Sequence, residues 1–123
     1  MSSPRLLIVD DQADIRELVR LTLELDEFDI DEAPNGDDGW ALVERTRPKL
    51  VLLDVMMPGS MDGFEVCRRI KASPSLRHTK VLMLTARGQS GDKDEGRRAG
   101  ADAYLTKPFS PKQLLETVHW LVS

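Results

Sequence analysis

Along this 123-residue chain, short apolar runs alternate with longer stretches of helical periodicity. "LLIV" at residues 6–9 reads as a strand. Residues 11–25 then place Ile15, Leu18, Val19 and Thr22 on one helical face. "FDIDEA" alternates polar and apolar positions, as a half-covered strand near a sheet edge does. "NGDDGWALVERT" opens with Asn35 as a cap, has Asp37 and Asp38 in its first turn, and stops before Pro48. "LVLL" predicts a third strand. Asp62 and Glu65 then have capping-box spacing, and Phe64, Cys67 and Ile70 continue an apolar face. "VLML" predicts a fourth strand, followed by a polar, weakly amphipathic helix between Ser90 and Ala99. "DAYL" predicts a fifth. Ser110-Pro111 starts a last helix with Leu114, Leu115, Val118, Leu121 and Val122 inward.

Strands that each precede a helix imply a parallel sheet covered on both faces. Right-handed crossovers narrow the topology to a doubly wound α/β sheet of five parallel strands, with order 2-1-3-4-5 leading. No repeat or linker interrupts the pattern, so residues 1–123 are expected to form one domain in three α/β/α layers.

Composition excludes more than it assigns. A formal net charge of −4 and a pI near 5.2, with Lys and Arg scattered, argue against direct nucleic-acid or anionic-lipid binding. The single cysteine, Cys67, rules out an internal disulfide or a multi-cysteine metal site. No apolar run is long enough for a secretory signal or a bilayer span. A cytoplasmic protein without membrane insertion is expected.

In such a sheet, ligands bind beyond the carboxyl ends of the strands, where the winding reverses between strands one and three. The first apolar run ends in Asp10-Asp11, the third in Asp54, the fourth in Thr85 and the fifth in Lys107. Taken singly, Asp11 could be a helix cap, Thr85 an ordinary strand-end residue and Lys107 a solvated loop lysine. Asp54 is harder to dismiss, because a carboxylate closing a buried strand needs a partner. Their coincidence at one sheet edge outweighs the separate readings. Three neighbouring carboxylates repel one another unless a cation sits among them, and hard oxygen ligands suit Mg²⁺. A cation, a lysine and a hydroxyl around one carboxylate suit stabilisation of phosphoryl oxygens, with Asp54 as the nucleophile.

The motifs "LLIVDD", "LLDVMMPG", "MDGFEVCRRIK", "VLMLTA" and "AGADAYLTKPF", in this order, resemble the receiver domains of two-component response regulators, a CheY-like superfamily with the flavodoxin-like fold. The resemblance implies that Asp54 accepts a phosphoryl group from the phosphohistidine of a sensor histidine kinase or histidine phosphotransfer protein. The acyl phosphate is later hydrolysed, without conventional turnover. It further implies Asp11 as a direct Mg²⁺ ligand, Asp10 as a ligand directly or through water, and the main-chain carbonyl of Met56 as another. Thr85 becomes the switch hydroxyl, Lys107 the phosphoryl-pairing lysine, and Tyr104 an aromatic whose rotamer reports phosphorylation. Unaided, Tyr104 would read as a core or interface aromatic. A cis Lys107-Pro108 bond is implied, as are roles for Met56 and Arg87 in tuning phosphate lifetime and a surface change acting on a downstream effector. Such a change is compatible with phosphorylation-dependent dimerisation.

Other chemistries on the same sheet fit less well. A flavodoxin-type cofactor binder would need a phosphate-cradling Ser/Thr/Gly loop where Asp10-Asp11 stands, and an aspartyl phosphatase a second carboxylate where Met56 stands. A receiver degenerated to an interaction module would not need the full set of site residues. Cys67 and Trp40 read as packing residues, and His78 and His119 as too isolated to form a site. Ser60 lengthens the usual Pro-Gly-Met-Asp-Gly turn by one residue, which predicts a longer loop before the third helix with the spacing from Asp54 to Pro58 untouched.

Overall fold

The computed structural model describes residues 3–24, 26–86 and 90–123, the side chains of residues 90–93 excepted. Five strands alternate with five helices: β1 (Arg5–Val9), α1 (Ala13–Leu23), β2 (Asp29–Ala33), α2 (Gly36–Thr46), β3 (Leu50–Asp54), α3 (Gly63–Ala72), β4 (Lys80–Ala86), α4 (Ser90–Ala99), β5 (Ala103–Lys107) and α5 (Pro111–Val122). A 3-10 turn, Pro74–Leu76, precedes β4. All strand pairs are parallel, in the order β2-β1-β3-β4-β5, as the alternation predicted.

Side-chain alternation divides the core between the two faces of the sheet. Leu7, Val9, Val51, Leu53, Val81 and Met83 point toward α2, α3 and α4 and pack on Val43, Phe64, Cys67 and Ile70. Leu6, Ile8, Leu50, Leu52, Leu82 and Leu84 point toward α1 and α5 and pack on Val19, Leu23, Leu114 and Val118. β1, β3 and β4 are central and buried, whereas β2 is an edge strand and half-exposed. This is why "LLIV", "LVLL" and "VLML" are uninterrupted while "FDIDEA" alternates.

The caps follow local chemistry. Asn35 accepts from the Asp38 amide and starts α2, and Asp62 accepts from the Glu65 amide and starts α3. Both halves of a capping box occur at Ser110 and Gln113 instead, whereas Glu65 turns to Arg69. Helix α1 starts after Gln12, and no side chain caps it, so Asp11 is not a cap. Leu18, expected inward, is 40% exposed, whereas Leu23, one turn on from the buried Val19, is fully buried. The predicted extension of α1 through Leu25 lies partly outside the described residues. Asp102, expected in the fifth strand, precedes it: its Oδ2 accepts from Lys71 Nζ and the Val81 amide, each at 2.8 Å.

Candidate functional site

The same alternation places the chemistry. Asp10 continues the parity of Leu6 and Ile8, Asp54 that of Leu50 and Leu52, and Lys107 that of Leu105, so all three leave the sheet toward its α1/α5 face. β1 and β3 end level, with Asp10 beside Asp54, and Lys107 stands two residues beyond the β5 residue in register with Asp54, so its long side chain reaches back to the two buried carboxylates. Lys107 Nζ lies 2.8 Å from Asp10 Oδ2 and 3.4 Å from Asp54 Oδ1, and donates to Gln12 Oε1 at 3.1 Å. The Lys107-Pro108 bond is cis, as the resemblance implied.

Asp11 completes a triad. Carboxylate oxygens of Asp10, Asp11 and Asp54 all lie within 4.8 Å of one another. Asp10 is fully buried and Asp54 nearly so, while Asp11 faces solvent. Burial, reinforced by the neighbouring Asp10 charge, raises the Asp54 pKa to about 7; Lys107 opposes the rise without cancelling it, and Asp11 adds a hydrogen bond that favours the protonated form. One lysine is too little positive charge for three carboxylates. Clustered hard oxygens with one open side fit a small, hard divalent cation such as Mg²⁺ and exclude a soft-metal preference.

Thr85 is buried and belongs to the opposite side-chain parity, shared with Met83 and, across the β4–β5 register, with Tyr104. The Tyr104 ring lies against α4 where Gly96 leaves room: a Cβ there would stand 2.7 Å from Tyr104 Cε1. Its hydroxyl is buried without a hydrogen-bond partner among the described residues, and burial raises its pKa. Met56, two residues beyond Asp54, is 65% exposed. Arg87 lies outside the described residues.

The loop from Asp54 to α3 is held closely. Gly63 donates its amide to Val55 O, and a Cβ on Gly63 would sit 2.1 Å from the Asp54 carbonyl oxygen, so only glycine lets α3 begin against the end of β3. Gly59 has φ +103°, and the Ser60 hydroxyl lies 3.0 Å from both oxygens of Asp37 on α2. The extra residue is thus tied to a neighbouring helix. Trp40 packs on the core and carries Arg69 over its ring at 5.9 Å. His119, read as isolated, meets Asp26 at 2.7 Å on the far side of the domain.

The chain pattern pointed to Asp10, Asp11, Asp54, Thr85 and Lys107 but not to three residues that hold them. Gln12 donates its amide to Asp10 Oδ1 at 2.9 Å as well as accepting from Lys107. Arg16 donates to the main-chain oxygen of Asp10 at 2.7 Å and to Glu32 on β2 at 3.2 Å. Position after the Asp pair hinted at Gln12; the Arg16–Glu32 link spans two elements and left no local signal. A surface hollow of 780 Å³ lies instead at the amino ends of the strands, beside Arg5, Arg47, Lys49 and Lys80.

A doubly wound sheet with this acidic triad and lysine at its switch point defines a receiver-type domain. The response regulator receiver domain model matches residues 6–119, and the chain belongs to that family. It is 44% identical over 118 residues to the transcriptional regulatory protein ResD of Bacillus subtilis, covering 96% of this chain and 48% of ResD. It is 41% identical over 120 residues to the response regulator PleD of Caulobacter vibrioides, covering 97% of this chain and 26% of PleD. Among solved structures, the chemotaxis response regulator CheY4 of Vibrio cholerae superposes with a TM-score of 0.89 at 32% identity, covering 98% of this chain and 99% of that one. The chain spans about half the length of ResD and about a quarter of PleD. Among the described residues, no helix is long and apolar enough to cross a membrane.

Proposed function

We propose that residues 1–123 act as a single phosphoacceptor module in the cytoplasm, taking a phosphoryl group onto Asp54 from the phosphohistidine of a sensor kinase or histidine phosphotransfer protein. The observation that carries this reading is the Lys107 ammonium seated between Asp10 and Asp54 beside a carboxylate cluster it cannot neutralise alone. In the transfer, an Asp54 oxygen forms the new O–P bond while the N–P bond of the donor breaks, and the leaving imidazole keeps that electron pair and takes up a proton. Lys107 is close enough to pair with a phosphoryl oxygen as charge builds there. Asp10, Asp11, Asp54 and the Met56 carbonyl would hold Mg²⁺, which supplies charge neutralisation at the phosphoryl oxygens when bound.

Thr85 then turns to a further phosphoryl oxygen. Because Thr85 and Tyr104 share one sheet face, that movement alters the packing next to the ring, and the surface of α4, β5 and α5 follows. This surface acts on a partner or an output domain, and phosphorylation-dependent dimerisation is one form the response takes. ResD is a transcriptional regulatory protein and CheY4 a chemotaxis response regulator, so the fold serves more than one output. The acidic surface supports assigning any nucleic-acid contact to a separate domain. The test is incubation with acetyl phosphate, with and without Mg²⁺, read as intact mass. Wild type should gain one phosphoryl group only with Mg²⁺, and Asp54→Asn none. Equal labelling of both proteins would overturn the assignment.

A further inference from the structure

Asp10 is held at four points. Its amide donates to Ala33 O on β2 at 3.1 Å, its Oδ1 accepts from the Gln12 amide, and its Oδ2 accepts from Lys107. The fourth hold is on its main-chain oxygen, which receives Arg16 Nη1 at 2.7 Å. That oxygen belongs to the peptide joining Asp10 to Asp11. Its plane sets ψ of Asp10 and φ of Asp11, and so the direction in which the Asp11 carboxylate leaves the chain. Asp11 itself is exposed. Arg16 is in turn fixed by Glu32 at 3.2 Å, whose other oxygen meets Arg20, and Glu32 stands opposite Ile8 in the β1–β2 register. Both side chains are mostly buried, at 19% and 27% exposed.

We propose that Arg16 is a positioning residue for the cation site: together with Glu32 it clamps the Asp10–Asp11 peptide so that the exposed Asp11 is aimed at Asp10 and Asp54. The inference rests on the reading of this cluster as a divalent-cation site. Two expectations of opposite sign separate the clamp from a plain charge effect. A cation near three carboxylates competes with Mg²⁺ by repulsion, so a guanidinium acting only through its charge would tighten Mg²⁺ binding when removed. A clamp would loosen it, because partners that orient metal ligands typically contribute about 10–100-fold in affinity.

The experiment is titration of the metal-free protein with MgCl₂ by isothermal calorimetry, with wild type, Arg16→Ala, Arg16→Lys, Glu32→Gln and Arg20→Ala. Folding of each is checked by circular dichroism. Arg16→Ala should bind Mg²⁺ about tenfold more weakly. Arg16→Lys keeps the charge but has no fork to reach both Asp10 and Glu32, so it should also weaken binding, though less. Arg20→Ala removes an equal charge that touches Glu32 but not Asp10, and should remain within about twofold of wild type. Acetyl-phosphate labelling at saturating Mg²⁺ should recover in Arg16→Ala, placing the loss in metal affinity. If Arg16→Ala does not fold, Arg16→Lys and Glu32→Gln decide. Unchanged or tighter Mg²⁺ binding in the folded Arg16 variants overturns the clamp. Wild type that binds no Mg²⁺ overturns the cation-site reading itself, and the clamp with it.

Discussion

Replacing Asp54 by asparagine should stabilise this domain at alkaline pH and scarcely change it in acid. The folded state holds Asp54 at a pKa of about 7, against an ordinary 3.8, because burial and the Asp10 charge disfavour the carboxylate more than Lys107 favours it. Between these values the folded chain retains a proton that the unfolded chain has released, so stability falls as pH rises and the loss is complete above about pH 7. Unscreened, the shift corresponds to about 4 kcal/mol. The site opens to solvent at Asp11, and screening there brings the effect to about 1–2 kcal/mol. Asparagine carries no charge and escapes this cost. In a chelator at pH 8, Asp54→Asn should therefore melt about 4–10 °C above wild type. At pH 4.5, less than one unit above the unfolded value of 3.8, most of this loss has yet to accrue, so the gap should shrink to about a quarter. Millimolar Mg²⁺ should close it from the other side, by stabilising wild type and not the variant. Scanning calorimetry at the two pH values reads this directly. An equal gap at both, or a less stable Asp54→Asn at pH 8, would refute the electrostatic account of the site.

Three further outcomes follow from particular contacts. Gly96→Ala places a methyl 2.7 Å from Tyr104 Cε1, so the ring must move. With 3-fluorotyrosine at the single tyrosine, the ¹⁹F resonance should shift and the phenol pKa fall toward that of free 3-fluorotyrosine, while the gain in helix propensity, about 1 kcal/mol, limits any loss of stability. Asp102→Ala deprives Lys71 Nζ and the Val81 amide of their shared acceptor and should cost about 2 kcal/mol in urea unfolding; Lys71→Met, which leaves the Val81 bond intact, should cost less. Ser60→Ala removes an exposed tie to Asp37, so stability should change by less than about 1 kcal/mol, while amide exchange in the loop before α3 accelerates.

The fold was legible because its signals are local and repeated. A buried central strand must be apolar on both faces, a surface helix must carry an apolar stripe, and a parallel sheet needs a crossover between strands. Those constraints mark β1, β3 and β4, the helices between them and the strand order in the chain alone. The position of the site followed too, since residues at the carboxyl ends of the strands of a doubly wound sheet lie along one edge of it whatever the loops do. Asp10, Asp54 and Lys107 could be paired on paper for this reason. Leu18 and Leu23 show where periodicity runs out: both fit an apolar stripe, and only the packing of α1 against α5 and the sheet decides that Leu23 is inside.

What the tertiary structure alone decided is how those groups are held and charged. The raised pKa of Asp54 depends on how many atoms shield it and how near Asp10 stands, quantities that no spacing along the chain encodes. The Asp102–Lys71 pair, the seat of Tyr104 on Gly96 and the tie from Ser60 to Asp37 join residues whose partners are set by how helices settle on the sheet. Arg16 is the plainest case. In the chain it is one polar residue on a helix; in the fold it links β2 to the peptide between two carboxylates. Element type follows from short-range pattern, whereas the chemistry of a site depends on distances of a few ångströms between elements, which only their packing sets.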